Sequence, residues 1–258
     1  MANKLKERPI VLGSCVRNGA GYLPRYFEQV GGLAEHVRTH GFKFKHVALE
    51  GDSEDTTWAD LVKYFTRVGS TYPVQLIHYE VGGRAYGSVD VADRWKQIAR
   101  CWNHMWRRLN DGPPVGIFIY MEADLIWDPP TVWGLVEHVL DGVDAVAPMS
   151  MLRNSPHHVF WDTWGHRAGG LRFQNAPPYH PWLDPRKAIP PDCYDRERGL
   201  IKIDSAGSCG VFHGDIVRKC TFRDRDAMVG PSLYEEGFTF WLDPMLEVIH
   251  PNIHKGEV

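Results

Sequence analysis

Five short apolar runs of strand length alternate with segments of helical periodicity through the first 150 residues, and few folds accommodate that order. The apolar runs are 10–14, 45–49, 74–79, 116–121 and 145–149, and the helical segments between them are 22–40, 57–68, 91–110 and 130–140. Parallel strands need crossovers about as long as a helix, and a sheet covered on both faces has strands that read as near-continuous hydrophobic runs. The order therefore predicts an α/β fold with a mostly parallel sheet and helices on both faces. It also says where a ligand belongs, because loops and helix N-termini converge beyond the carboxyl ends of such strands.

The segment 91–110 shows how the helices should pack. Trp95, Ile98, Ala99, Trp102, Met105, Trp106 and Leu109 fall on one stripe, with Arg94, Lys96, Gln97, Arg100, Asn103, Arg107 and Arg108 opposite. Tryptophans at this spacing are core residues. From 150 to 198 the texture changes: Pro, His, Trp and Arg are dense and no period survives, which predicts an irregular insertion too long to be a plain connection. Beyond it lie a strand-like 200–204, a small-residue turn at 205–210, a helix at 233–242 and an extended tail at 247–254. Neither an internal repeat nor a linker divides the 258 residues, so one domain is expected.

Composition narrows the class. Hydrophobic content of 43% with 24% charged residues suits an ordinary globular protein, and no apolar run reaches the length of a membrane span. The first eight residues are charged and lack the apolar core of a signal peptide. Five cysteines, odd in number and without a C-x-x-C pair, argue against a disulfide framework or a cysteine zinc site. A reducing, cytoplasmic setting is expected. The net charge of −3 gives no general pull toward nucleic acid.

Four clusters carry chemistry. The first strand runs into Gly13-Ser14-Cys15-Val16-Arg17-Asn18, which has neither G-x-G-x-x-G nor a P-loop. The second ends in Glu50-Gly51-Asp52-Ser53-Glu54-Asp55, where Ser53 or Asp55 would cap the next helix and Glu50 or Asp52 could accept from a nucleobase or ribose. The fourth closes on Glu122-Ala123-Asp124. Carboxylates two apart on an extended chain point to the same side, where they can share a hard cation such as Mg2+ or Mn2+. The spacing by itself says little, since the chain holds five such triples among 32 acids. This triple alone ends a strongly apolar, buried strand, where a carboxylate pair without a cation would repel. Late in the chain, Glu235-Glu236 open the predicted helix, where acids suit the dipole, and His250 and His254 follow on the tail.

In this order the clusters resemble those of GT-A glycosyltransferases. The chain is similar to the inverting family that includes cellulose and chitin synthases, and to the retaining mannosyltransferases of fungal mannan synthesis. The likeness covers residues 10–149 well and the rest loosely. It implies a nucleotide-sugar-binding half at 9–149 and an acceptor-binding half at 150–258. Arg17, Asn18, Glu50, Asp52 and Arg100 would then hold the nucleotide end of a UDP- or GDP-sugar, with Gly207 of Ser205-Ala206-Gly207-Ser208 under the sugar. Asp124 and Glu122 would bind Mn2+ or Mg2+, with His250 or His254 as the late histidine found in many retaining members. Glu236 matches the place of the inverting family's base, with Glu235 its rival. The first metal acid is Glu rather than Asp, and the Q-x-x-R-W acceptor motif is absent, so both stereochemical outcomes stay open.

The acceptor should be read from 150–198. Trp161, Trp164 and Arg167 could stack on and pair with a sugar or a base. Small members of this fold among phage enzymes glycosylate hydroxymethylated pyrimidines in DNA, and an aromatic, arginine-rich loop would suit a flipped base. Hydroxymethylated pyrimidine in DNA is slightly favoured as the acceptor, with a saccharide or protein as the other option. A sugar nucleotidyltransferase and a non-catalytic sugar-nucleotide binder are the readings of a different class.

Overall fold

The computed structural model describes residues 2–86, 91–152, 165–168, 171–172, 193–195, 197–225 and 227–251. A short helix α1 (Ala2–Glu7) precedes β1 (Ile10–Val16), α2 (Leu23–Thr39), β2 (Phe44–Glu50), α3 (Thr57–Val68), β3 (Val74–His78), α4 (Ala92–Asn110), β4 (Ile117–Met121), α5 (Pro129–Leu140) and β5 (Ala145–Leu152). The second half contributes β6 (Arg167–Ala168), β7 (Leu171–Arg172), β8 (Tyr194–Asp195), β9 (Leu200–Lys202), β10 (Cys209–His213), α6 (Gly214–Lys219), α7 (Gly230–Glu235) and β11 (Phe240–His250).

Nine strands form one sheet in the order β3-β2-β1-β4-β10-β5-β11-β9-β8. Strand β1 pairs in parallel with both β2 and β4, so the chain reverses its direction of growth at β1. Such a switch point opens a crevice at the carboxyl ends of β1 and β4. Strand β10 runs antiparallel between β4 and β5, and β11 lies parallel to β5. The sheet is thus mixed but mostly parallel, as the strand–helix alternation predicts.

Alternation along each strand feeds two cores. On one face Trp95, Trp102, Met105 and Trp106 of α4 pack on Leu49, Phe118, Tyr120 and Phe212. On the other, Tyr26, Leu33, Leu61, Phe65 and Val136 of α2, α3 and α5 pack on Leu12, Ile119 and Val211. Strand β4 is buried along its whole length, which explains its unbroken apolar run. Among the described residues no helix is long and apolar enough to cross a membrane.

Two expectations for the second half need correction. The segment 233–242 is not one helix: α7 ends at Glu235, Gly237 takes a positive φ of 80°, and the chain turns into β11. Glu235 and Glu236 therefore close a helix rather than open one. Residues 205–210 are not wholly a turn either, because Cys209 already starts β10. The anticipated tail is the second part of β11, entered through a register shift between Asp243 and Glu247, where Pro244 sits.

Candidate functional site

The crevice at the switch point is a cleft of about 220 Å3 walled by the ends of β1 and β2, the 81–86 loop and α4. The loops that shape it are stitched together by side chains. The amide of Asn18 donates to Ser53 Oγ (2.9 Å), and Asn18 Oδ1 accepts from the Glu54 amide (2.8 Å). The Gly19 amide donates to Thr57 Oγ1 (2.6 Å), and the Ala20 amide to Asp55 (3.2 Å). Burial pushes the Asp55 carboxyl up, but bonds from the Thr57 hydroxyl and amide outweigh it and hold the group below its usual range. Asn18 and Asp52 both adopt positive φ, 49° and 62°, a conformation open to Asn and Asp but to few other side chains. Between them Gly51 is obligatory, since a Cβ there would lie 1.9 Å from the Tyr79 carbonyl oxygen.

Two of the anticipated nucleotide contacts, Arg17 and Asp52, line this cleft. Each also organises the 81–86 loop. The Asp52 carboxylate accepts from the amides of Val81 (3.0 Å) and Gly82 (3.1 Å). The Arg17 guanidinium donates to the carbonyls of Gly83 (3.0 Å) and Arg84 (3.3 Å). Asn18 shapes the adjoining loop. Glu50 lies elsewhere: it is buried beside His78, 3.5 Å from its Nδ1, and is not part of the cleft lining. Arg100 is exposed and also outside the lining. In its place α4 presents Arg94, Gln97, Ile98 and Cys101, with Tyr86 from the loop.

Glu122 is part of the cleft lining, and it meets two others of the anticipated metal residues, Asp124 and His250. Donor atoms of Glu122, Asp124 and His250 lie within 4.8 Å of one another, and His250 Nε2 is 3.6 Å from Asp124 Oδ2. The join is made by backbone: Ile126 and Ile249 exchange two hydrogen bonds of 2.8 Å, which seats the end of β11 against the loop after β4. The Glu122 amide donates to the Ser208 carbonyl (2.9 Å), so Gly207 lies one residue from this contact. Charge is concentrated here. Burial, with the carboxylates of Asp124, Asp55 and Glu122 nearby, raises the Tyr22 phenol. Burial also raises the thiols of Cys15 and Cys209, with Glu122 adding to both.

The other anticipated residues fall in different places. Glu235 is exposed and paired with Arg223, and Glu236 is exposed at the end of α7; neither is in the cleft lining. Arg167 is half-buried and bridged to Ser205 through its amide (3.1 Å), next to the 205–208 turn. Trp161, Trp164 and His254 lie outside the described residues. The α4 residues that line the cleft, none of them among the anticipated site residues, had a signal in the sequence. Arg94, Gln97, Ile98 and Cys101 share a stripe at i, i+3, i+4 and i+7 beside the buried tryptophans, whereas Arg100 stands about 120° away from Arg94 around the helix.

No family model and no curated protein matches the sequence. Solved structures do. A mannosyltransferase from Pyrobaculum calidifontis, in complex with GDP-Man and Mn2+, superposes with a TM-score of 0.61 at 12% identity over 99% of this chain. A mannosyl-3-phosphoglycerate synthase from Rubrobacter xylanophilus superposes with a TM-score of 0.50 at 13% identity over 97%. The chain spans 64% of the length of the first and 68% of the second. The arrangement of strands, crevice and late strand is that of the GT-A fold.

Proposed function

We propose that this chain is a metal-dependent glycosyltransferase, moving a sugar from a nucleotide-sugar donor to an acceptor hydroxyl. The observation that carries this reading is the convergence of Glu122, Asp124 and His250 on one point, with Glu122 also lining the cleft. Two carboxylates and one imidazole fit Mn2+ or Mg2+, and the nitrogen ligand favours Mn2+, because Mg2+ holds closely to oxygen. When bound, the cation neutralises the diphosphate as it leaves. The chain's own part is to hold the nucleoside between Arg17, Asp52, Tyr86 and Arg94 and to aim the diphosphate at the metal group. A GDP-sugar is the favoured donor, supported by the GDP-Man complex of the similar mannosyltransferase.

Retention of configuration is the favoured outcome. A general base must reach the acceptor hydroxyl, directly or through one water. Glu235 and Glu236 stand outside the cleft lining, whereas His250 joins the metal group in the manner the retaining resemblance implies. The acceptor half, 150–258, presents Arg167 beside the 205–208 turn, where a hydroxyl-bearing acceptor would meet the sugar. No feature of the described residues favours a nucleic-acid acceptor over a small hydroxylated one.

The test is nucleotide release from a panel of UDP- and GDP-sugars with Mn2+. GDP-mannose should be turned over, and Asp124→Ala should lower the rate by about 100-fold or more with an unchanged circular dichroism spectrum. Wild-type turnover in that variant would refute the site. Donor binding without release under any condition would make the chain a sugar-nucleotide binder instead.

A further inference from the structure

The loop after β4 supplies Glu122 and Asp124, and side chains of helix α2 hold its backbone. Arg25 Nη2 donates to the backbone carbonyl of Asp124 at 2.6 Å. One turn further, Gln29 Nε2 donates to the carbonyl of Trp127 at 2.7 Å. Further still along α2, a Cβ at Gly32 would lie 3.1 Å from Pro129 Cγ, so α2 also approaches closely the start of α5, where the loop ends. Residues 25, 29 and 32 recur at helical spacing and form one face of α2 turned to the loop. Within the same loop, Ile126 is paired with Ile249 of β11.

We propose that Arg25 and Gln29 are positioning residues that set the metal affinity of the Glu122–Asp124–His250 group; this rests on the metal reading above. A metal accepts its donors only within a few tenths of an ångström, and partners that orient the ligands typically change affinity 10–100-fold when removed. Asp124 presents its carboxylate to the group while its own carbonyl is held by Arg25. The Trp127 carbonyl, held by Gln29, is adjacent to Ile126, whose bonds to Ile249 bring His250 into place. Two side chains of one helix thereby lock the peptide planes on either side of the Ile126–Ile249 bridge. With them removed, the loop can turn about its contact with β11, and the carboxylate of Asp124 moves relative to the imidazole.

Uptake of Mn2+ alone, followed by the electron paramagnetic resonance signal of the free ion, tests this without donor or turnover. Gln29→Leu removes a neutral donor and should weaken Mn2+ binding roughly 10–100-fold. Arg25→Leu should weaken it too, even though loss of a positive charge would by itself tighten cation binding. Arg25→Lys keeps the charge and a donor and should stay within about threefold of wild type. Near-ultraviolet circular dichroism confirms that each variant is folded, and if Gln29→Leu is not, the Arg25 pair decides. Unchanged affinity in folded Gln29→Leu, or unchanged or tighter binding in Arg25→Leu, overturns the proposal. A wild-type chain that takes up no Mn2+ fails in a different way, by overturning the metal reading itself.

Discussion

His46 lies on β2 with its ring fully buried, between Tyr26 on one side and Tyr64 and Phe65 on the other. The Tyr26 hydroxyl donates to Ser14 Oγ (2.7 Å), so at 2.8 Å it accepts from His46 Nε2. That leaves Nδ1 with a lone pair and no partner. Protonating it would place a charged N–H among aromatic rings with nothing to accept its bond, and burial lowers the pKa to about 3. In the unfolded chain the same ring titrates near 6.5. Between these two values the unfolded state binds a proton that the native state refuses, so stability falls as the pH falls through that window. The slope is roughly 1.4 kcal/mol per pH unit, or about 3 kcal/mol lost between pH 7 and about pH 4.5. Set against a domain stability of about 5–15 kcal/mol, that loss is large. Urea denaturation of the wild type and His46→Leu at the two pH values isolates it. The substitution keeps the Tyr26–Ser14 bond and should shrink the acid-induced loss by about 3 kcal/mol. Equal losses in the two proteins would refute the assignment.

Gly51→Ala forces a Cβ against the Tyr79 carbonyl and should cost about 2 kcal/mol or more, read as a lower Tm together with weaker nucleotide binding, since Gly51 lines the cleft. Wild-type values of both would contradict the packing described. Asn103→Ala removes a side chain that both donates to the Phe222 carbonyl and accepts from its amide, each at 2.8 Å. It should lower stability by about 2 kcal/mol and leave nucleotide affinity unchanged, because Asn103 is not part of the cleft lining.

The first half of the chain was legible because its signals are long and agree with one another. Helix α3 spans 57–68 as its periodicity predicts, and α2, α4 and α5 begin within one residue of expectation. Strand β4 announced itself by an apolar run buried on both faces, and that burial gave the following acids their meaning. The second half failed where signals were short. Strand β10 has five residues and follows Ser205-Ala206-Gly207-Ser208, whose small side chains suit a turn as well as a strand lead-in. The segment 233–242 has helical content at its start, but Gly237 ends the helix and β11 pairs with a distant strand that no local pattern reveals. The Glu122–Asp124–His250 group was legible as residue types at strand ends. Its geometry was not, because the pairing of Ile126 with Ile249 is tertiary. Arg25 and Gln29 were invisible for the same reason: a polar residue on a helix gives no sign of the carbonyl it will meet.

The insertion of β10 between β4 and β5 imposes an order on the assembly of the molecule. Every residue that lines the cleft precedes position 123, so its walls exist in chain synthesised before the last third emerges. The cation group is complete only when residue 250 has docked. Until residues 209–213 arrive, β4 presents an unpaired backbone edge flanked by apolar side chains, the kind of surface on which nascent chains aggregate. A ribosome-bound or truncated chain should therefore acquire nucleotide affinity first and Mn2+ affinity last, and be most dependent on chaperones in the interval between.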